Sequence, residues 1–135
     1  MKIAFLGAGN VGAPLALRLA EAGNDVTLAE ARPGSASVAA ARARSPKLDA
    51  RPLDEALAGA EVVFLATPFG AVESAIGPRS QALAGKVLVD CTNPVGAGLT
   101  HGLKSERSGS QLVQELAPRA RVVKAFTIYG FENLE

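Results

Sequence analysis

The chain carries one histidine, one cysteine, one methionine and no tryptophan. A single cysteine, Cys91, rules out an internal disulfide and fits a reducing compartment. With only one histidine, His101, beside that cysteine, no cluster with His/Cys metal-ligand spacing can be assembled, and no metal is expected. No serine–histidine–acid set can be defended either. No charge of one sign dominates: 14 Lys and Arg face 13 Asp and Glu, leaving a formal +1. That balance gives no electrostatic footprint for nucleic acid or a membrane surface. Long apolar runs are missing as well. Ile3 to Ala8 is far too short for a secretory apolar region, Asn10 and Arg18 interrupt its continuation, and nothing approaches the roughly 20 residues that span a bilayer. The expectation is a soluble, cytoplasmic protein without a nucleic-acid or membrane partner.

What is present is a chain of 135 residues, 48% apolar, with 14 glycines and 8 prolines lying between apolar runs. Lys2 to Leu6 reads as a buried strand. From Val11 to Ala22 the apolar spacing becomes helical, through Val11, Leu15 and Leu19, and Gly23 supplies a stop. Asp25 to Ala29 reads as a strand and Pro33 to Arg44 as an alanine-rich helix. Ser45 to Arg51 reads as a connection with at most a short extended piece, and Leu53 to Leu57 as a brief helix. Glu61 to Ala66 is the clearest strand, nearly unbroken in apolarity, as in parallel sheets covered on both faces. A turn at Thr67-Pro68-Phe69-Gly70, a helix from Ala71 to Ile76 and a strand from Lys86 to Asp90 follow. Then come a long loop from Cys91 to Gly109, a helix from Ser110 to Leu116 with Ser108 and Gln111 at capping-box spacing, and a strand from Arg121 to Ala125. Five strands alternating with helices predict an α/β fold, a doubly wound parallel sheet in three αβα layers, with 3-2-1-4-5 as the first choice of order. No repeat or linker divides it, so residues 1–135 read as one domain.

The first strand runs directly into Gly7-Ala8-Gly9-Asn10-Val11-Gly12, and that turn opens a helix. A bare G-x-G-x-x-G is weak, but this context is the one dinucleotide binding requires. Gly7 permits the tight turn, Gly9 lets the backbone approach a pyrophosphate, and Gly12 allows close helix–strand packing. The helix start offers free N–H groups and about half a positive charge to the phosphates. The predicted fold is therefore a Rossmann-type NAD(P)-binding domain. At the end of the second strand, Glu30 stands 18 residues after Gly12, near the place of an acid for the ribose hydroxyls of NAD. Arg32, two residues on, suits the 2′-phosphate of NADP. Ser35 and Ser37 add donors. The residues alone leave NAD and NADP both open.

Ligands in open α/β sheets lie at the carboxyl ends of strands. Ala66, Thr67, Pro68 and Phe69 follow one such strand, in place to run along the ribose and phosphates. Asn93 and Pro94 follow the next, where Asn93 either bonds the nicotinamide side or serves, with Asp90, as a turn residue. Cys91 reads as a small buried residue rather than a nucleophile, and His101 as a mobile surface residue. No catalytic acid–base set stands out.

These stretches carry a resemblance. Ile3 to Gly12, Val26 to Arg32, Ala66 to Val72, Gly85 to Pro94, Ser105 to Ser110 and Val122 to Phe126 together resemble the NADPH-dependent reductases of 8-hydroxy-5-deazaflavin, the coenzyme F420-dependent NADP oxidoreductases. In that family a serine or threonine followed by arginine ends the second strand and binds the 2′-phosphate. Arg32 matches the arginine, while Ala31 replaces the hydroxyl residue and Glu30 stands where a neutral residue is common. The resemblance implies hydride transfer between NADP(H) and a deazaflavin or related small redox partner, chemistry that asks the protein mainly for positioning. The alternatives are an NAD(P)-dependent dehydrogenase or reductase of a small imine or hydroxy acid, or a nucleotide-binding module without catalysis. Proteins of the resembled family continue past the Lys-Ala-Phe strand, so the chain reads as a fragment or a short relative. A homodimer that covers exposed surface is one expectation.

Overall fold

A computed structural model describes residues 1–96, 98, 100–128 and 130–134. Its elements, in order, are β1 (Lys2–Leu6), α1 (Gly12–Glu21), β2 (Asp25–Glu30), α2 (Ala36–Arg44), β3 (Leu48–Pro52), α3 (Leu53–Gly59), β4 (Val62–Leu65), α4 (Val72–Ile76), β5 (Val87–Asp90), α5 (Gly109–Leu116) and β6 (Arg121–Lys124). Short 3₁₀ turns at Phe69–Ala71 and Gly77–Arg79 flank α4.

The strands form one parallel sheet in the order β3-β2-β1-β4-β5-β6. Two expectations are corrected here. The sheet has six strands among the described residues, because the connection after Ser45 contains β3, whose Leu48 and Ala50 stand opposite Val26 and Leu28 of β2. Asp49 and Arg51 hid it from a reading by apolarity: both point out and pair with each other at 2.8 Å. The strand at 62–65 consequently lies beside β1 rather than beyond β2. Element ends shift by one to three residues; α2 begins at Ala36 rather than Pro33, since Pro33 and Gly34, with Gly34 at φ +75°, shape a turn before it. The loop expected from Cys91 to Gly109 stands, with residues 97 and 99 outside those described.

Reversal of strand order between β1 and β4 fixes where a ligand sits. Right-handed crossovers put α1 and α2 on one face and α3, α4 and α5 on the other. Beneath α1 and α2 pack Ile3, Phe5, Val26, Leu28 and Phe64. Beneath the other helices pack Ala4, Leu6, Val63, Leu65 and Leu88. The rings of Phe5 and Phe64 stack at 4.5 Å directly across the β1–β4 junction. Strands buried on both faces carry unbroken apolar runs, which is why β1, β4 and β5 were readable. At the carboxyl edge of β1 and β4 the chain turns away on both sides and leaves the crevice in which such sheets bind nucleotides.

Candidate functional site

The glycine turn is locked to the neighbouring strand. Gly7 has φ +103°, and a methyl group there would lie 2.4 Å from the Ala66 carbonyl oxygen. A methyl at Gly12 would lie 2.0 Å from the Gly7 carbonyl oxygen and 3.2 Å from Ala66 Cβ. Gly9 differs: nothing lies within 4 Å of the Cβ direction. Two glycines therefore serve packing, and the third faces open space where a ligand's backbone can pass. The Ala13 N–H donates to the Gly9 carbonyl at 3.0 Å and starts α1. Its N-cap, Val11, gives no side-chain cap, and the first turn of the helix holds no acidic residue. Its N-terminal N–H groups and partial positive charge are therefore not met by a side chain of the helix itself. Ala8 is buried, Val11 half-buried, and Gly9 and Asn10 exposed.

From these contacts follows a contrast. Gly12→Ala is expected to lose about 1–3 kcal/mol of stability through overpacking, read as a lowered midpoint in chemical denaturation. Gly9→Ala is expected to keep wild-type stability and lose nucleotide affinity in a fluorescence titration. Equal stability losses in the two would contradict this division of roles.

Two cavities flank the turn. One, of about 310 Å³, is lined by Ala8, Gly9, Asn10, Ser37 and Phe131 on the α1/α2 side. The other, of about 330 Å³, lies between the ends of β2 and β4 and is lined by Gly7, Ala31, Arg32, Thr67, Ser74 and Arg79. A smaller hollow of about 140 Å³, with Lys2, Asp25 and Arg51, sits at the opposite edge of the sheet, away from the switch point.

The end of β2 separates Glu30 from Arg32: Glu30 is its last residue, and Arg32 lies in the bend beyond it. Val26 and Leu28 belong to the core under α1 and α2, and Ala29 to the core on the other face. Glu30 shares the face of Val26 and Leu28 by the two-residue period. It is half-buried and is not among the residues lining the β2–β4 cavity, whereas Ala31 and Arg32 are. Arg32 is exposed at the cavity mouth. Ser35 and Ser37, at the start of α2, bond each other at 3.1 Å.

At the end of β4, Ala66 and Thr67 sit against Gly7. The buried Thr67 hydroxyl oxygen has no hydrogen-bond partner among the described residues, and Thr67 lines the same cavity as Arg32. An unpaired buried hydroxyl costs free energy. Pro68 is exposed and Phe69 half-buried. The Cβ direction of Gly109, the first residue of α5, lies 3.3 Å from both Phe69 Cε2 and Pro94 Cδ. The loops after β4 and β5 are thus brought together at one place. Asn93 is exposed, and its side-chain amide donates to the Thr127 carbonyl at 3.3 Å.

Below this turn is a network that sequence reasoning left as a choice between turn and ligand. Asp90 is fully buried. Its Oδ1 accepts from the Thr92 amide at 2.9 Å and the Thr92 hydroxyl at 2.7 Å. Its Oδ2 pairs with Lys124 Nζ at 3.0 Å and accepts from the Ser110 hydroxyl at 3.3 Å. Lys124 Nζ also donates to the Thr92 carbonyl. Asp90 is therefore a turn residue that anchors the Thr92–Pro94 bend to β6 and α5. The one available signal was the placement of Asp90 and Lys124 at the ends of neighbouring strands, where they stand in register. Ser74 and Arg79 also line the site without having been singled out, because nothing in their local pattern marks them.

Cys91 is buried, and burial together with the Asp90 charge pushes its thiol up to about 12. A thiol at that value is neutral at physiological pH and is no nucleophile. Thiol reagents are expected to label native protein slowly at pH 8 and unfolded protein quickly. Because the folded value lies above the ordinary 9.0, folding stability is full below pH 9 and declines as pH rises toward 12. Cys91→Ala should remove that part of the alkaline decline, as measured by denaturation at pH 8 and pH 10. His101 is exposed, but its Nδ1 accepts the amides of Leu103 and Ser105 at 3.1 Å each, so it organises its own loop. Among the described residues no three His, Cys, Asp or Glu side chains gather as metal ligands, and no helix is long and apolar enough to cross a membrane.

A glycine turn at the β1–β4 switch point, an uncapped helix start and a parallel sheet covered on both faces define an α/β nucleotide-binding domain of the Rossmann class. Comparison with known proteins narrows this. Residues 2–94 match the family described as NADP oxidoreductase, coenzyme F420-dependent, and the chain belongs to that family. The matched stretch holds the glycine turn, Arg32, Ala66–Phe69 and Asn93–Pro94; Lys124 lies beyond it. The chain is 30% identical to a crystal structure of a candidate F420-dependent NADP-reductase from Arthrobacter sp. FB24, with TM-score 0.89 over 98% of this chain and 64% of that one. It is 30% identical over 131 residues to the glycerol-3-phosphate dehydrogenase [NAD(P)+] of Pseudomonas syringae pv. tomato, covering 89% of this chain and 37% of the relative. An imine reductase of Bacillus cereus shares the fold at 24% identity and TM-score 0.72, over 96% of this chain and 42% of that one. The chain spans little more than a third of the length of the curated relatives it matches.

Proposed function

We propose that this chain binds NADP and serves an oxidoreductase reaction that moves a hydride between NADP(H) and a deazaflavin-type acceptor. The observation that carries the choice of NADP is the division at the end of β2, where Arg32 lines the cavity and Glu30 does not. In this reading the Gly7–Gly12 turn and the start of α1 take the pyrophosphate. Arg32 takes the 2′-phosphate, and Ala31 leaves room for it. Thr67 gives its hydroxyl to the ribose, with Ala66, Pro68 and Phe69 along the same edge. Asn93 and Pro94 border the nicotinamide end. NADPH, when bound, supplies the hydride. The protein fixes the distance and angle of the two rings and keeps water out, for which Pro94, Phe69 and the Phe126 ring provide apolar walls. Phe126 holds φ +60° at the end of β6 and leans on Phe64 at 6.2 Å. A left-handed aromatic residue at a strand end is a strained position of the kind found at binding sites.

The family match supports the deazaflavin acceptor. Similarity to glycerol-3-phosphate dehydrogenase over 89% of the chain supports a second reading, a dehydrogenase of a small hydroxylated substrate. The experiment mixes the protein with NADPH and either 8-hydroxy-5-deazaflavin or dihydroxyacetone phosphate and follows NADPH oxidation. Oxidation with the deazaflavin alone is the expected result. Oxidation with the triose phosphate alone would replace the first reading by the second. Binding of NADPH with no turnover on either would leave a nucleotide-binding module.

A further inference from the structure

The β2–β4 cavity contains a second guanidinium besides Arg32. Arg79 sits in the 3₁₀ turn after α4, and its side chain is 26% exposed. Its Nε donates to Asp54 Oδ1 at 2.7 Å. Its Nη1 donates to the carbonyl oxygens of Ser74 at 3.3 Å and Ala75 at 3.4 Å. These contacts hold the head group against the cavity that Ala31, Arg32 and Thr67 line. Nη2 makes no hydrogen bond among the described residues. Its protons are the donors this wall of the cavity still has to give.

The remaining groups on the wall do not compete for that role. The Ser74 hydroxyl has spent its proton on the Ala71 carbonyl at 3.0 Å and can only accept. Asp54 is 77% exposed, so its pairing with Arg79 is well screened. Thr67, whose buried hydroxyl has no partner among the described residues, lines the same cavity. Two guanidinium groups lining one cavity of about 330 Å³ suit a dianion better than a neutral sugar.

We propose that Arg79 is a specificity-determining residue that grips the 2′-phosphate of NADP from the α4 side, together with Arg32. The inference rests on the NADP reading above. It assigns the phosphate two anchors on separate elements, one on the loop after β2 and one after α4. Asp54 then bonds Nε alone and leaves Nη2 to the cavity, while the Ser74 and Ala75 carbonyls suffice to hold the head group in place.

The test is a titration of NADPH and NADH against wild type, Arg79→Gln, Arg79→Lys and Asp54→Asn, with melting temperatures taken alongside. Arg79→Gln is expected to weaken NADPH by about tenfold and NADH by less than about twofold, the scale of a lost hydrogen bond to a charged group. Arg79→Lys keeps the charge without the fork and should fall between. Asp54→Asn should keep NADPH affinity within about twofold. An equal loss for both nucleotides in Arg79→Gln and Arg79→Lys would overturn the proposal, since the residue would then hold only the wall. So would an unchanged NADPH-to-NADH ratio, or a tenfold loss of NADPH affinity in Asp54→Asn. A wild type that prefers NADH fails the NADP reading itself, and a wild type that prefers NADPH with an indifferent Arg79 fails only this inference.

Discussion

Replacing Arg32 by alanine is expected to weaken NADPH binding by roughly ten- to a hundredfold and to leave NADH within about twofold, which reverses the preference between them. A hydrogen bond to a charged group contributes about 1.5–3 kcal/mol, and each 1.4 kcal/mol is a factor of ten. Arg32 is exposed at the cavity mouth, so the fold does not depend on it and the melting temperature should not move. Glu30→Gln is the control. Glu30 does not line the β2–β4 cavity, so the substitution should change neither nucleotide by more than about twofold. Tighter NADPH binding by Glu30→Gln, at the tenfold level, would mean that the acid faces the ribose after all. The titration is best run at low and moderate salt, because a phosphate clamp weakens as ionic strength screens it.

Lys124→Met should be the most destabilising single change in the site. It removes the cation from Asp90, which is fully buried, while the methylene stem is retained. Breaking a buried ion pair from one side costs about 3–5 kcal/mol; here the Thr92 and Ser110 donors remain and Lys124 is partly exposed, so roughly 3 kcal/mol is the expected loss. That corresponds to a fall of about 10 °C in melting temperature for a domain of this size. The double variant Lys124→Met with Asp90→Asn removes the stranded charge and should recover much of the loss. If the single and double variants melt together, the pair contributes little. Because Lys124 also holds the Thr92 carbonyl, a variant that still folds should lose order in the Asn93–Pro94 bend. It should then bind NADPH less well than a nucleotide lacking the nicotinamide ring.

How much of this was legible before the structure depends on the element. β1, the glycine turn and α1 could be read because three constraints agree there: an apolar run, a glycine at each sterically closed point, and a helical face behind them. β4 and β5 could be read for the same reason, being buried on both faces. β3 could not, because an edge strand needs only one apolar face and Asp49 and Arg51 occupy the other. Its omission misplaced β4, since strand order follows from counting crossovers. At the site, Arg32 and Glu30 were both visible, but they share a strand's parity, and only the bend after Glu30 brings Arg32 to the cavity. Arg79 and Lys124 were out of reach in a different way. Each meets its neighbours across 25 residues or more of sequence, at Asp54 and Asp90, and no local pattern encodes such a meeting.

The interlocked glycines have a thermodynamic consequence. With Gly12 seated on the Gly7 carbonyl and both resting on Ala66, the phosphate turn has no alternative shape to abandon when nucleotide arrives. Conformational entropy on the protein side was lost at folding, not at binding. Association should therefore resemble docking onto a rigid cradle: calorimetry should show little ordering penalty from the turn, with any structural adjustment confined to the Arg32 and Arg79 side chains that close on the far phosphate.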